Sequence, residues 1–361
     1  MDFSSIEARF REFEDTFSAK PYEKQKSSLE LQLDQFLAML SPPKSVLSCS
    51  GAELVKFLIC KDSSGRTKIH ALTCSRLAKV CDCPKRLAAG TVDNLVGKLQ
   101  TIFHSVGRLH DQNPAKSPVV KRYIKFMHEE QASLGVVPTQ AVPFGVQNLL
   151  ILVRYLKSQL SSNSISVIEK FVLARDSAFF VLDFFSADRA SDLGRVLAQA
   201  VVKLPNNEGY IMSSSFAKNR RSGIIKPFGF KPIAQTEICP FLWLEHYFFV
   251  CSELKITLNP GYLFRTTRAK TFVTDSPFCG SAVYNRLKKY LQLAGIPPSF
   301  TPHSFRVGVP VVLRSLGCDY SEIAEYIGWN SVEMAKHYTS SVLPQANLET
   351  FQRFVNAVSV G

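Results

Sequence analysis

The 361-residue chain carries 43 Lys and Arg against 30 Asp and Glu, a net charge of +13, with 46% hydrophobic and 20% charged residues. That composition is ordinary for a soluble globular protein long enough for two domains with their own cores. No run of the roughly 18 apolar residues a membrane helix needs is present, MDFSSIEARFREFEDTF is too charged for a signal peptide, and nine cysteines, an odd number, argue for reduced thiols in a reducing compartment rather than a disulfide framework.

The positive excess is not evenly spread: residues 1–50 hold 6 Lys/Arg against 8 Asp/Glu, whereas residues 51–125 hold 14 against 5. Clustered cations of this kind neutralise phosphates and release counterions, so the expected partner is nucleic acid. Residues 1–26 read as a short arm. Ser27–Leu40 places Leu29, Leu33, Phe36, Leu37 and Leu40 on one helical face and stops at Pro42-Pro43. Ser50, with Glu53 three residues on, caps a helix to Cys60 whose apolar face is Leu54, Phe57 and Leu58. Thr91–Phe103, with Leu95, Leu99 and Phe103 in register, and Ser117–Gly135, with Lys121, Arg122 and Lys125 outward, complete an all-helical basic unit over residues 27–133. Between its second and third helices, His70, Cys74, Cys81 and Cys83 give four soft ligands in a fourteen-residue span, enough for one tetrahedral structural zinc, although the gaps are not those of a common finger. The alternative is three buried thiols and a surface His that fall close together.

Residues 134–145, with Pro138 and Pro143, read as a linker to a second domain over 146–361. Val146–Leu160 and Ile165–Phe185 are expected helices. Leu197–Leu204 and Gly209–Ser215, separated by Pro205-Asn-Asn, predict a small antiparallel sheet. Pro240–Leu254 and Ser281–Leu293 are further helices, joined by a basic connector with Arg265, Arg268 and Lys270. The tail Asn347–Val360 has helical apolar spacing and would pack on its own domain or on a neighbouring subunit. The fold class expected is mainly α with a small antiparallel β-sheet.

The densest chemistry is in Thr301–Ser340. Thr301-Pro302 is a helix start that puts His303 and Arg306 on one face. Asp319 with Glu322, closed by Gly328, and Asn330 with Glu333 read as capping boxes for two short helices that follow, the second carrying Tyr338. A His, an Arg, a Trp (Trp329) and a Tyr in one compact helical segment suit attack on a phosphodiester. Pro310 predicts a late start, a kink or a break, because a helix would need its N–H to bond the Arg306 carbonyl.

His303-Ser-Phe-Arg306, Gly328-Trp329 and the later Tyr338 resemble the catalytic box of the tyrosine recombinases, or phage-type integrases. Two earlier stretches fit as well: SADRASDLGRV supplies Arg189 with Asp192, and SSFAKNRRSG supplies Lys218, with Lys203 as a second candidate for that lysine. The resemblance covers residues 27–345 and implies a helical core-binding domain followed by the catalytic domain. It implies that Arg189 and Arg306 hold the scissile phosphate and its growing charge. His303 then serves as general acid/base, Trp329 donates its indole N–H, Lys218 protonates the departing 5′-oxygen, and Tyr338 forms a 3′-phosphotyrosine. Bond energy stays in the ester, so no catalytic cofactor, nucleotide or metal is expected. The implied partners are double-stranded DNA and further copies of the chain, up to a tetramer on DNA. The Cys/His insert is similar to recombinases of eukaryotic mobile elements, of the crypton or tyrosine-recombinase retrotransposon type, which implies a nuclear location. Alternatives from other classes are a domesticated DNA-binding protein that has lost the reaction, with Pro310 as its support, and a type IB topoisomerase-like relaxing enzyme.

Overall fold

The structure, a computed structural model, describes residues 7–9, 11–12, 20–70, 74, 81–136, 141–162, 164–214, 226–268 and 271–340. The chain falls into two compact units, residues 1–139 and 140–361, each with its own apolar core.

In the first unit, α1 (Lys20–Ala38) begins inside the stretch read as an arm and buries Leu29, Leu33 and Leu37. Helix α2 (Gly51–Asp62) starts at Ser50, whose backbone N–H donates to Glu53 Oε2 at 2.7 Å. Leu54, Phe57 and Leu58 then join Val92, Val96, Leu99 and Phe103 of α3 (Ala89–Ser105) and Val120 and Met127 of α4 (Pro118–Ser133) in one core. Lys121, Arg122 and Lys125 stand exposed on α4. A two-stranded hairpin absent from the sequence reading, β1 (Thr67–Lys68) against β2 (Lys85–Arg86), draws the two ends of the Cys/His segment together. It is pinned to α2 by buried Asp62, which accepts from the Leu87 N–H at 2.7 Å and from Arg86 Nη1 at 3.0 Å.

The second unit is built around α6 (Val167–Ser186), a helix apolar on all sides and almost wholly buried over its C-terminal two-thirds. It packs against α5 (Val146–Leu160) and α8 (Pro240–Glu253). Its one buried ionic knot is Asp176, which accepts from Arg175 Nε at 2.8 Å, Arg286 Nε at 2.7 Å and the Tyr290 hydroxyl at 2.6 Å. After α6 come the single turn α7 (Ala190–Leu193) and a three-stranded antiparallel sheet of β3 (Val201–Lys203), β4 (Tyr210–Ser214) and β5 (Lys226–Phe230), with Val201 opposite Met212 and Tyr210 opposite Phe230. The sequence reading gave two of these strands. The third, KPFGF, carries a Pro and a Gly that weaken any strand signal, and its pairing with β4 supplies what its propensity lacks.

The basic connector before α9 (Ser281–Leu293) is a hairpin, β6 (Arg265–Arg268) with β7 (Phe272–Pro277). Arg265 is not a surface cation: it is buried and donates to the carbonyls of Tyr262, Leu258 and Pro260. Lys270 and the tail 347–360 lie outside the described residues. Three helices follow: α10 (Pro302–Ser315), α11 (Tyr320–Ile327) and α12 (Val332–Tyr338).

Candidate active site

Helix α10 starts at Pro302 and continues through Pro310, so of the late start, kink or break expected there, neither the late start nor the break occurs. The proline costs the ladder bond to the Arg306 carbonyl, but its ring lies in the buried stretch Ser304–Pro310, where packing holds the helix together. That stretch is seated by Phe144, which the sequence reading placed in the linker. Phe144 is fully buried, its N–H donates to the Ser304 carbonyl at 2.9 Å, and its ring stacks on Phe305 with centroids 4.3 Å apart. Gly308 makes the approach possible: a Cβ there would sit 2.0 Å from the Phe144 carbonyl oxygen.

The cap of α11 is the one read from sequence, with Asp319 Oδ1 accepting from the N–H groups of Ser321 and Glu322 and Gly328 ending the helix at φ 74°. The cap of α12 differs: it is Ser331, which accepts from the Glu333 N–H at 3.1 Å, rather than Asn330. With α11 and α12 so started, Trp329 and Tyr338 lie face to face, rings 4.9 Å apart and 18° from parallel. The Tyr338 hydroxyl is 3.2 Å from His303 Nε2, and the Arg306 guanidinium lies 5.4 Å from the centre of the Trp329 ring. Four of the six residues read as a catalytic set from sequence therefore meet in one cluster.

Arg306 is 6% exposed. Its Nη1 donates to the carbonyl of Ala187, which ends α6 in the left-handed region at φ 50°. Burial, with Arg189 close by, lowers the Arg306 pKa, and Asp188, Tyr338 and Asp192 oppose that shift. Arg189, half-buried, forms a 3.4 Å ion pair with Asp192. It also lies close enough to His303 to act on its charge: burial, then Arg306, then Arg189 hold the His303 pKa below the ordinary imidazole value. Trp329 Nε1 is buried without a hydrogen-bond partner among the described residues.

Lys218 lies outside the described residues, in the 215–225 connection between the paired strands β4 and β5. Its rival Lys203 is committed elsewhere, 2.9 Å from Glu245 Oε1 on the sheet. The sequence reading missed the Ala187 carbonyl that holds Arg306, the buried anchor Phe144, and Asp183, an acid in the apolar run FFVLDFF. The last was visible as a lone carboxylate within the apolar run at the C-terminal end of α6.

In the first unit the ligand atoms of His70, Cys74, Cys81 and Cys83 all lie within 4.8 Å of one another, with His70 Nδ1 3.5 Å from both Cys74 Sγ and Cys81 Sγ. Bonds of about 2.0–2.3 Å in a tetrahedron separate ligand atoms by roughly 3.3–3.8 Å, so the set needs only a small contraction to close on zinc.

The phage integrase family model matches residues 158–343, and the ALOG domain model matches residues 12–129. The chain belongs to the phage integrase family, the tyrosine recombinases, and carries an ALOG domain as its amino-terminal unit. Protein LIGHT-DEPENDENT SHORT HYPOCOTYLS 5 of Arabidopsis thaliana is 33% identical over 127 residues, 34% of this chain and 70% of the relative. Protein G1-like5 of Oryza sativa subsp. japonica is 35% identical over 120 residues, 32% of this chain and 59% of the relative. The chain thus spans about 59 to 70% of these relatives, through its first unit. Among solved structures, the Tn1549 transposon integrase in complex with transposon right end DNA superposes with a TM-score of 0.53 at 12% identity, covering 91% of this chain and 92% of that one. That likeness shows the shared fold. The ALOG assignment was not legible from the helices read over 27–133, which resembled a core-binding domain in general outline.

Proposed function

We propose that the second unit cuts and rejoins double-stranded DNA by transesterification at Tyr338. The observation that carries this reading is the contact of the Tyr338 hydroxyl with His303 beside buried Arg306. A tyrosine hydroxyl with a pKa near 10 attacks slowly unless its proton is taken and the growing charge is met. His303, kept neutral by burial and two arginines, accepts that proton at neutral pH. Tyr338 Oη bonds to phosphorus, the bond to the 5′-oxygen breaks, and Lys218 is the residue proposed to return a proton to it. Arg306 keeps four of its five guanidinium N–H groups free of described partners. With Arg189 and the indole N–H of Trp329, it can meet the non-bridging oxygens of the phosphate. The ester energy is retained in the 3′-phosphotyrosine, so religation to another strand needs no nucleotide.

The same reading gives the first unit the DNA-gripping role, with the exposed cations of α4 on phosphates, a structural zinc on His70, Cys74, Cys81 and Cys83, assembly to a tetramer on DNA and residence in the nucleus. The test of the reaction is covalent trapping on nicked duplex labelled 5′ to the break. Wild type is expected to give a denaturant-stable adduct and Tyr338→Phe none. Tight binding without adduct across a broad pool of sites would contradict the reading. The zinc assignment is tested by metal content: one zinc per chain in wild type, and loss of both zinc and thermal stability in Cys81→Ser with Cys83→Ser.

A further inference from the structure

Asp183 is completely buried, and neither carboxylate oxygen has a hydrogen-bond partner among the described residues. It lies in the last turn of α6, four residues before Ala187, whose carbonyl receives Arg306. A charged carboxylate here would lack every usual compensation. The side chain is fully buried, no N–H or O–H of the described residues reaches it, and the C-terminal end of a helix is the negative end of its dipole. Of the charged groups around it, Asp188 in the following turn opposes ionisation and only Arg306, from α10, favours it. The outcome is a carboxyl whose pKa is raised well above its ordinary value. The carboxylates that support the charge on Arg306 are Asp188 and Asp192, not Asp183.

We infer that Asp183, a fully buried carboxyl without a partner among the described residues and four residues before the Ala187 carbonyl that anchors Arg306, is a positioning residue of the phosphate seat that competes with DNA for Arg306 when it carries charge. This rests on the proposed reaction at Tyr338. In the neutral form, Arg306 has one hydrogen bond among the described residues, to the Ala187 carbonyl, which leaves its other N–H groups for a phosphodiester. Once Asp183 loses its proton, it adds a buried carboxylate that attracts Arg306 from inside the protein. The guanidinium is then drawn inward, and the site loses positive charge together with the geometry needed at phosphorus. The groups whose charges bear on this balance are Asp188, Arg306, Arg189, Asp192, His303 and Tyr338. Asp183 differs from all of them in being fully buried with no hydrogen-bond partner among the described residues.

The test compares wild type with Asp183→Asn, which keeps the shape and fixes the neutral state. Rates of adduct formation on nicked duplex are measured from pH 6 to pH 9.5. The two rates should agree within about twofold at pH 6, and the asparagine variant should exceed wild type at least fivefold at the alkaline end. Parallel profiles would overturn the inference. Thermal unfolding gives a readout independent of the reaction. A group with a raised folded pKa contributes stability that is lost as pH rises through that value, so Asp183→Asn should gain several degrees relative to wild type between pH 5 and pH 9. A constant difference would overturn it. Should the variant fail to fold, the Cγ resonance of Asp183 in wild type labelled with 13C at aspartate decides. Titration above pH 7 supports the inference, and titration in the ordinary carboxylate range ends it. Absence of any Tyr338-dependent adduct at every pH would count against the reaction alone, since the stability and resonance readouts do not involve DNA.

Discussion

Gly308→Ala separates the account from ordinary helix energetics, because the two give opposite signs. In an exposed helix interior this change stabilises by up to about 1 kcal/mol. Here the new Cβ would lie 2.0 Å from the Phe144 carbonyl oxygen, against 3.4 Å for ordinary contact, so the segment carrying Phe144 must withdraw by 1.4 Å. Such a shift stretches the 2.9 Å bond from Phe144 N–H to the Ser304 carbonyl beyond bonding range. It also separates Phe144 from Phe305, now 4.3 Å apart in stacked geometry. Overpacking costs about 1–3 kcal/mol, the hydrogen bond about 1 and the ring pair about 1. Against the helix gain, the net loss is about 2–4 kcal/mol. For a unit of this size that is about 4–16 °C in Tm, read by circular dichroism melting of the full chain. Arg306 is two residues away, so adduct formation should fall as well. An unchanged or raised Tm would refute the packing argument.

Three other outcomes follow from the same geometry. Trp329→Phe removes a buried donor that has no partner among the described residues, so Tm should hold while the adduct rate falls about 10- to 100-fold, the cost of one transition-state hydrogen bond; a normal rate would remove Trp329 from phosphate binding. His303 has a pKa lowered by burial, Arg306 and Arg189. The acid limb of the rate profile should therefore lie below the ordinary histidine value, with a plateau at neutral pH, and His303→Ala should flatten that limb and cost about 10²–10⁴ in rate. Asp176→Asn leaves Arg175 and Arg286 without their shared buried carboxylate and should destabilise the second unit by about 3–5 kcal/mol, measured by urea unfolding.

Helix existence was legible wherever an apolar stripe met a cap: Ser50 with Glu53 and Asp319 with Glu322 are local signals that packing did not override. The clustering of His303, Arg306, Trp329 and Tyr338 was legible because all four lie within one segment of three short helices. What the sequence concealed depends on partners far along the chain. KPFGF becomes a strand because β4 offers it a ladder, Arg265 turns inward because carbonyls at 258, 260 and 262 surround it, and α10 survives Pro310 because its neighbours bury it. Phe144 was hidden for the same reason, since a Pro-flanked stretch of small residues looks like a linker until the phenylalanine finds Phe305.

The most direct measurement is the site of covalent attachment. The adduct formed on nicked duplex in the presence of a chelator is digested with protease and nuclease, and the peptide carrying the residual nucleotide is sequenced by mass spectrometry. The account predicts the nucleotide on Tyr338, linked through a 3′-phosphate. Cleaved DNA with no peptide attached, or attachment at any other residue, would contradict it.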